Sequence, residues 1–131
     1  MKGLDTNVLV RYLTQDDPVQ SRKANALIAE AVDRGEQCPI NVIVLCELVW
    51  VLREAYHLDK PTVAATLEKV LDTAQLVVEQ ADLARRALDD YRRGRGDFAD
   101  YLIGWRNRQA GCSDTATFDR ALGRSALFRV L

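Results

Sequence analysis

Gly3-Leu4-Asp5-Thr6-Asn7-Val8-Leu9-Val10-Arg11-Tyr12-Leu13 sets one acid and two small polar residues between an extended start and an apolar-periodic run. Val8, Leu9, Tyr12 and Leu13 recur at helical spacing, which predicts a helix with one covered face. If Leu4 closes a short strand, Asp5 stands at that strand's carboxyl end, where open α/β sheets bind their ligands. An Asp or Thr before such a run is equally an ordinary N-cap. On this segment alone Asp5 is either a cap or a site residue.

Outward from there, Gln15-Asp16-Asp17-Pro18 reads as a turn with Pro at the first position of the next helix. Ala24, Leu27, Ile28, Ala31 and Val32 carry that helix, and Arg34-Gly35 closes it. Cys38-Pro39-Ile40 is expected to be extended. From Val42 to Leu52 only Glu47 is polar among eleven residues. The run through Tyr56 is too long for a typical strand, so it is expected to be a helix capped by Asn41. Glu47 is then either a carboxylate set in an apolar surface, which needs a cation, a proton or strong hydrogen bonds, or a member of a narrow exposed stripe. His57, the single histidine, is expected at the surface near a helix end.

Lys60-Pro61-Thr62 starts another helix with Val63, Leu67, Val70 and Leu71 on its apolar face, and Gln75–Glu79 reads as a buried strand. Ala81, Leu83, Ala84, Ala87, Leu88 and Tyr91 mark a helix that ends at Gly94 and Gly96. Asp97-Phe98-Ala99-Asp100 opens the next one, its two acids sharing one face of the first turn near the positive end of the helix dipole. Asp97 as N-cap and Asp100 three residues on explain the pair structurally. Cys112–Asp119 is expected to hold a short strand with Asp119 at its carboxyl end, followed by a small helix around Arg120–Leu122 and an apolar end at Leu127–Leu131.

With 131 residues and 48% hydrophobic content, one domain over 1–131 with a single core is the expectation. No apolar run approaches the roughly 18 residues a bilayer helix needs, and no signal core follows the N-terminus, so a cytoplasmic protein without a membrane partner is expected. Three cysteines, Cys38, Cys46 and Cys112, suggest neither a disulfide framework nor zinc and are expected to be buried or half-buried. The net charge of -1 argues against a protein that coats nucleic acid, but its distribution is uneven. Residues 1–83 carry 8 Lys and Arg against 13 Asp and Glu, whereas residues 84–131 carry 10 Arg, no Lys, and 6 acids. Arginine's planar fork matches phosphate oxygens in pairs. Solvated helix faces with internal ion pairs explain the same composition.

Alternating strands and helices predict a mainly parallel sheet covered by helices. Its carboxyl edge would gather Asp5 and Asp119, the helix start bearing Asp97 and Asp100, and Glu47. Two carboxylates about 5 Å apart repel by roughly 3 kcal/mol at an effective dielectric near 20, so such a cluster calls for a cation or bound protons. An all-oxygen set without clustered His or Cys suits Mg²⁺ or Mn²⁺ and the hydrolysis of phosphodiesters. Thr6, Asn7 and Thr117 would steady the carboxylates or a water.

At these residues the chain resembles a known family. Asp5-Thr6-Asn7-Val8-Leu9, Glu47 within Cys46-Glu47-Leu48, Asp97-Phe98-Ala99-Asp100 ahead of Leu102-Ile103, and Thr117-Phe118-Asp119 resemble, in order, the four acidic motifs of PIN-domain ribonucleases of the VapC toxin type. The resemblance implies a PIN-like α/β/α sandwich with a mainly parallel central sheet. It also implies an Mg²⁺-dependent endoribonuclease with Mn²⁺ as substitute, acting on RNA as the toxin of a type II toxin–antitoxin pair, and a homodimer inhibited by a VapB-type antitoxin. Asp5, Glu47, Asp100 and Asp119 would be the catalytic acids. Asp5, Glu47 and Asp100 would ligate the metal, Asp119 would act through water, and Asp97 would cap its helix or assist. Two other readings remain open: a catalytically silent PIN-like module that binds a partner, and a phosphoryl-transfer or receiver domain, which calls for a lysine near the acids.

Overall fold

In the computed structural model, which describes all residues Met1–Leu131, the helices begin where short polar side chains stand ready to cap them. The chain divides into two units, Met1–Ala81 and Asp82–Leu131.

The first unit holds α1 (Thr6–Thr14), α2 (Pro18–Asp33), β1 (Cys38–Ile40), α3 (Val42–Glu54), α4 (Lys60–Asp72) and β2 (Leu76–Val78). Side-chain oxygens of Asp5, Asp17, Asn41 and Asp59 each accept an orphan N–H of the first turn that follows. Gly35, at φ 66°, ends α2 in a Schellman turn, with Glu36 N–H donating to the Ala31 carbonyl at 2.8 Å. β1 and β2 pair in parallel, Cys38 opposite Leu76 and Ile40 opposite Val78. Leu9, Leu45, Leu48, Leu52, Val63 and Leu67 are buried at the centre of the unit's apolar faces.

Leu4 does not close a strand. Its N–H donates to the Pro39 carbonyl at 3.1 Å, and that is the one backbone bond the segment makes to β1. Cys38 and Ile40 turn their polar groups toward β2, with Cys38 N–H on Gln75 and Ile40 carbonyl on Glu79 N–H. Pro39 therefore faces Leu4, and a proline has no N–H with which to continue the ladder. Asp5 still follows directly from this extended contact.

The second unit holds α5 (Ala81–Arg93, its first residue the last of the first unit), α6 (Phe98–Gln109), β3 (Thr115–Thr117), a 3₁₀ turn (Arg120–Leu122) and β4 (Phe128–Val130), with β3 and β4 again paired in parallel. Leu83, Ala84, Ala87, Leu88 and Tyr91 form the buried stripe of α5, and the Tyr91 and Phe98 rings meet edge to face at 6.4 Å. Between α5 and α6 the chain must pass against Tyr101. A side chain on Gly94 would collide with the end of its ring and one on Gly96 would strike Leu122 and crowd the ring, whose hydroxyl accepts the Gly96 N–H at 3.0 Å. The result is a mostly helical α/β fold with short parallel strand pairs, one in each unit.

Cys38 is buried and Cys46 half-buried, but Cys112 is exposed, contrary to expectation, because it lies in the turn after Gly111 at φ 102°. His57 is at the surface, with φ 53°, just beyond α3. No helix is long and apolar enough to cross a membrane.

One polar network ties the α1–α2 turn to the end of α3. Tyr56 Oη–H donates to Asp16 Oδ2 at 2.6 Å, Thr14 Oγ1–H to Asp16 Oδ1 at 2.7 Å, and Arg11 Nη1 to both Asp16 and the Tyr56 hydroxyl. The Tyr56 and Thr14 hydrogen bonds, helped by the Arg11 charge, hold the Asp16 carboxyl down at about 2 against an ordinary 3.8. A depressed carboxyl value contributes stability above the unfolded value and loses it as pH falls through the folded one. Tyr56→Phe is therefore expected to raise the Asp16 titration midpoint toward 3.8, read by NMR. It should also lower the thermal midpoint at neutral pH, with the deficit shrinking as the pH is brought down to about 2.

Candidate active site

Asp5 occupies the N-cap of α1, and its Oδ1 accepts the Val8 N–H at 3.0 Å. The next residue, Thr6, is buried, and its hydroxyl donates to Glu47 Oε1 at 3.2 Å across the packing of α1 on α3. The first unit thus joins two of the expected acids through a single threonine. Asn7 is exposed and hydrogen-bonds neither acid.

Glu47 does not lie in a buried apolar surface. α3 buries Val44, Leu45, Leu48 and Leu52, while Ile43, Glu47 and Trp50 follow one another along its exposed side. A helix that is apolar all round in sequence here spends part of its apolar content on solvent: Ile43 is 66% exposed and Trp50 65%. Glu47 gains its place from the Thr6 hydroxyl and not from desolvation.

In the second unit Asp97 stands at the N-cap of α6 and Asp100 at its third residue. Asp100 Oδ2 reaches back to the Asp97 N–H at 2.9 Å. The Asp97 carboxylate faces the Asp100 N–H in the manner of a capping box without a hydrogen bond of its own, and that N–H goes to the Asp97 carbonyl at 3.1 Å. Asp119 caps the 3₁₀ turn through Oδ1 and the Ala121 N–H at 2.9 Å, and its own N–H donates to Thr117 Oγ1 at 3.0 Å. Thr117 steadies the backbone of Asp119 and does not touch the carboxylate.

Burial pushes the Asp100 carboxyl above its ordinary value, against the pull of the Asp97 N–H, and the charges of Asp97 and Asp119 push the same way. Those three acids stand close enough to repel. Asp5, Glu47, Asp100 and Asp119 each rest one oxygen on a donor, leave the other without one, and form no ion pair with Lys or Arg. Within neither unit do three His, Cys, Asp or Glu side chains group as a ready metal cage. The donor set nonetheless fits a hard divalent cation, being all carboxylate and crowded with like charge at Asp100.

The reading of the residues left Tyr101 and Trp105 out of account. Tyr101 was signalled by the two glycines, Gly94 and Gly96, that make room for its ring. Trp105 donates through Nε1 to Asp90 Oδ2 at 2.7 Å from fifteen residues away, a pairing no spacing rule announces.

An acid caps α1, a second lies on α3, an acid pair opens α6 and a last acid follows β3. A family model for the PIN domain matches residues 3–126, and the chain belongs to that family. It is similar to a VapC ribonuclease of Aquifex aeolicus (strain VF5), 26% identical over 121 residues, which span 92% of this chain and 88% of that protein. No solved structure matches the chain.

Because the folded state disfavours the charged form of Asp100, ionisation there costs stability above the ordinary carboxyl value and nothing below it. Asp100→Asn keeps an acceptor for the Asp97 N–H and removes the charge. It is expected to raise the thermal midpoint of the metal-free protein at neutral pH, the gain disappearing below pH 3.8.

Proposed function

We propose that this chain is a divalent-metal-dependent endoribonuclease that hydrolyses RNA phosphodiester bonds as the toxin of a type II toxin–antitoxin pair. In this reading residues 1–131 act as one PIN domain, in the cytoplasm, as a homodimer restrained by a VapB-type antitoxin. Family membership and the similarity to a VapC ribonuclease support it. The observation that carries it is that all four motif acids are positioned by a hydrogen bond yet left without a neutralising cation. Asp17 and Asp59 cap their helices without a cationic partner as well, so what singles out the four acids is that they fall in the four motifs in order.

Asp5 and Glu47 of the first unit and Asp100 and Asp119 of the second are the residues assigned to Mg²⁺, with Mn²⁺ as substitute. Asp5, Glu47 and Asp100 would hold it, and Asp119 would assist through water. Bound there, such a cation would activate water for attack and set positive charge against the phosphate. The chain's own share is orientation. The Val8 N–H fixes the Asp5 rotamer, the Thr6 hydroxyl that of Glu47, the Asp97 N–H that of Asp100, and the Ala121 N–H that of Asp119. Groups already held at their working angles lose little freedom when substrate arrives.

A second reading, a PIN-like module that binds a partner without cutting, draws on Ile43 and Trp50, exposed on the same side of α3 as Glu47. Cleavage separates the two. RNA incubated with the protein is expected to be cut with Mg²⁺ or Mn²⁺ and spared with EDTA; intact RNA under every condition would favour the binding module. Asp5→Asn is expected to abolish cutting with the fold retained, since Asn caps a helix about as well as Asp. Asp5→Ala should abolish it too, and should also cost about 1 kcal/mol of stability in denaturant titrations through loss of the cap.

A further inference from the structure

The second unit contains an open cleft of about 460 Å³ whose walls include Arg93, Arg95, Arg108, Arg120 and Arg124, with Trp105 among them. Its one acid, Asp90, is spoken for: Trp105 Nε1–H donates to Oδ2 at 2.7 Å and Arg93 Nη2 to Oδ1 at 3.4 Å. Arg108 is partly used as well, giving Nη2 to the Ala126 carbonyl at 2.9 Å. Arg95, Arg120 and Arg124 are exposed and paired with no acid. Three uncompensated guanidinium groups around one opening repel each other, so the cleft is built to receive anions.

The same short segments carry both the cleft and the motif acids. Arg95 stands two residues before Asp97, Tyr101 of the lining follows Asp100, and Arg120 follows Asp119. An enzyme whose reacting groups are carboxylates repels a polyanion unless cations flank them. A free acidic peptide gains nothing from being delivered to carboxylates, whereas a phosphodiester strand is delivered to the groups that would cut it. We propose that this arginine cleft is an RNA-backbone subsite, in which Arg95, Arg120 and Arg124 grip consecutive phosphates and hold the strand beside the acids of the second unit. The assignment rests on the nuclease reading above, and binding can be measured apart from cleavage.

The test uses the full chain with Asp5→Asn to prevent cutting, and single-stranded RNA titrated across a range of salt. With Arg95→Ala, Arg120→Ala and Arg124→Ala combined, RNA affinity is expected to fall by roughly tenfold or more, and the log–log salt slope to become shallower by about 2, as for three lost phosphate contacts on a single strand. The triple Lys variant should recover part of the affinity and the slope, because it restores charge without the fork. Circular dichroism identical to that of the parent shows that the loss is not unfolding. Unchanged affinity and slope would overturn the subsite. So would retention of RNA binding with loss of poly-glutamate binding, which would make the cleft a protein-docking site. Displacement of RNA by inorganic phosphate at equal phosphate concentration would reduce it to an isolated anion site and also overturn the strand assignment. If the unsubstituted protein, with Asp5 in place, cuts no RNA in Mn²⁺ while the triple variant still loses binding, the nuclease reading fails and the subsite stands.

Discussion

Asp5, Asp100 and Asp119 each rest one oxygen on a backbone N–H at a helix start, and nearly everything known of the site depends on that contact. The first N–H groups of a helix have no partner within it and carry the positive end of its dipole, so they draw an anion and fix its angle. The cap uses one lone-pair direction of one oxygen. The second oxygen stays open to solvent and to whatever cation or water arrives. Cap and site residue, which compete as explanations of Asp5 in the sequence, are therefore compatible roles for one side chain. Glu47 reaches the same condition by another route, resting on a hydroxyl from the first turn of α1.

Charge is kept apart instead of being cancelled. The chain is nearly neutral, yet the motif acids have no cationic partners, and the arginines beside Asp97 and Asp119 have no acidic ones. Neighbouring Asp and Arg side chains on the same short segments could pair with each other. The fold turns them to different uses, the acids onto N–H donors and the arginines around a cleft. Burial, with the nearby charges of Asp97 and Asp119 adding to it, raises the Asp100 carboxyl value and weakens the empty protein slightly. Such a cost is commonly found at sites that bind charged ligands.

Much of the fold was legible because its signals are local. Asn41 before an apolar run, Pro18 after Asp17, and Gly35 after Arg34 each act through their own backbone neighbours, and each did so in the structure. Family membership was legible too, since the resemblance ran the length of the chain and the family match covers residues 3–126. Where the reading went astray, a non-local partner decided. Leu4 makes no strand because its neighbour across the gap is Pro39, thirty-five residues away. For Glu47 the sequence left two readings open, and the exposed stripe holds because α3 has packing partners on only part of its circumference.

By itself the sequence determined the helices, most of their caps, three of the four short strands and the candidate acids, since these follow from periodicity, from turn chemistry and from which side chains can reach their own backbone. Only the tertiary structure decided that Thr6 holds Glu47, that Tyr101 shapes the approach to Asp97, that Trp105 and Arg93 both donate to Asp90, and that Arg95, Arg120 and Arg124 surround one opening. Those contacts join residues from separate segments. Their distances are set by how helices and strands pack, and no spacing along the chain encodes them.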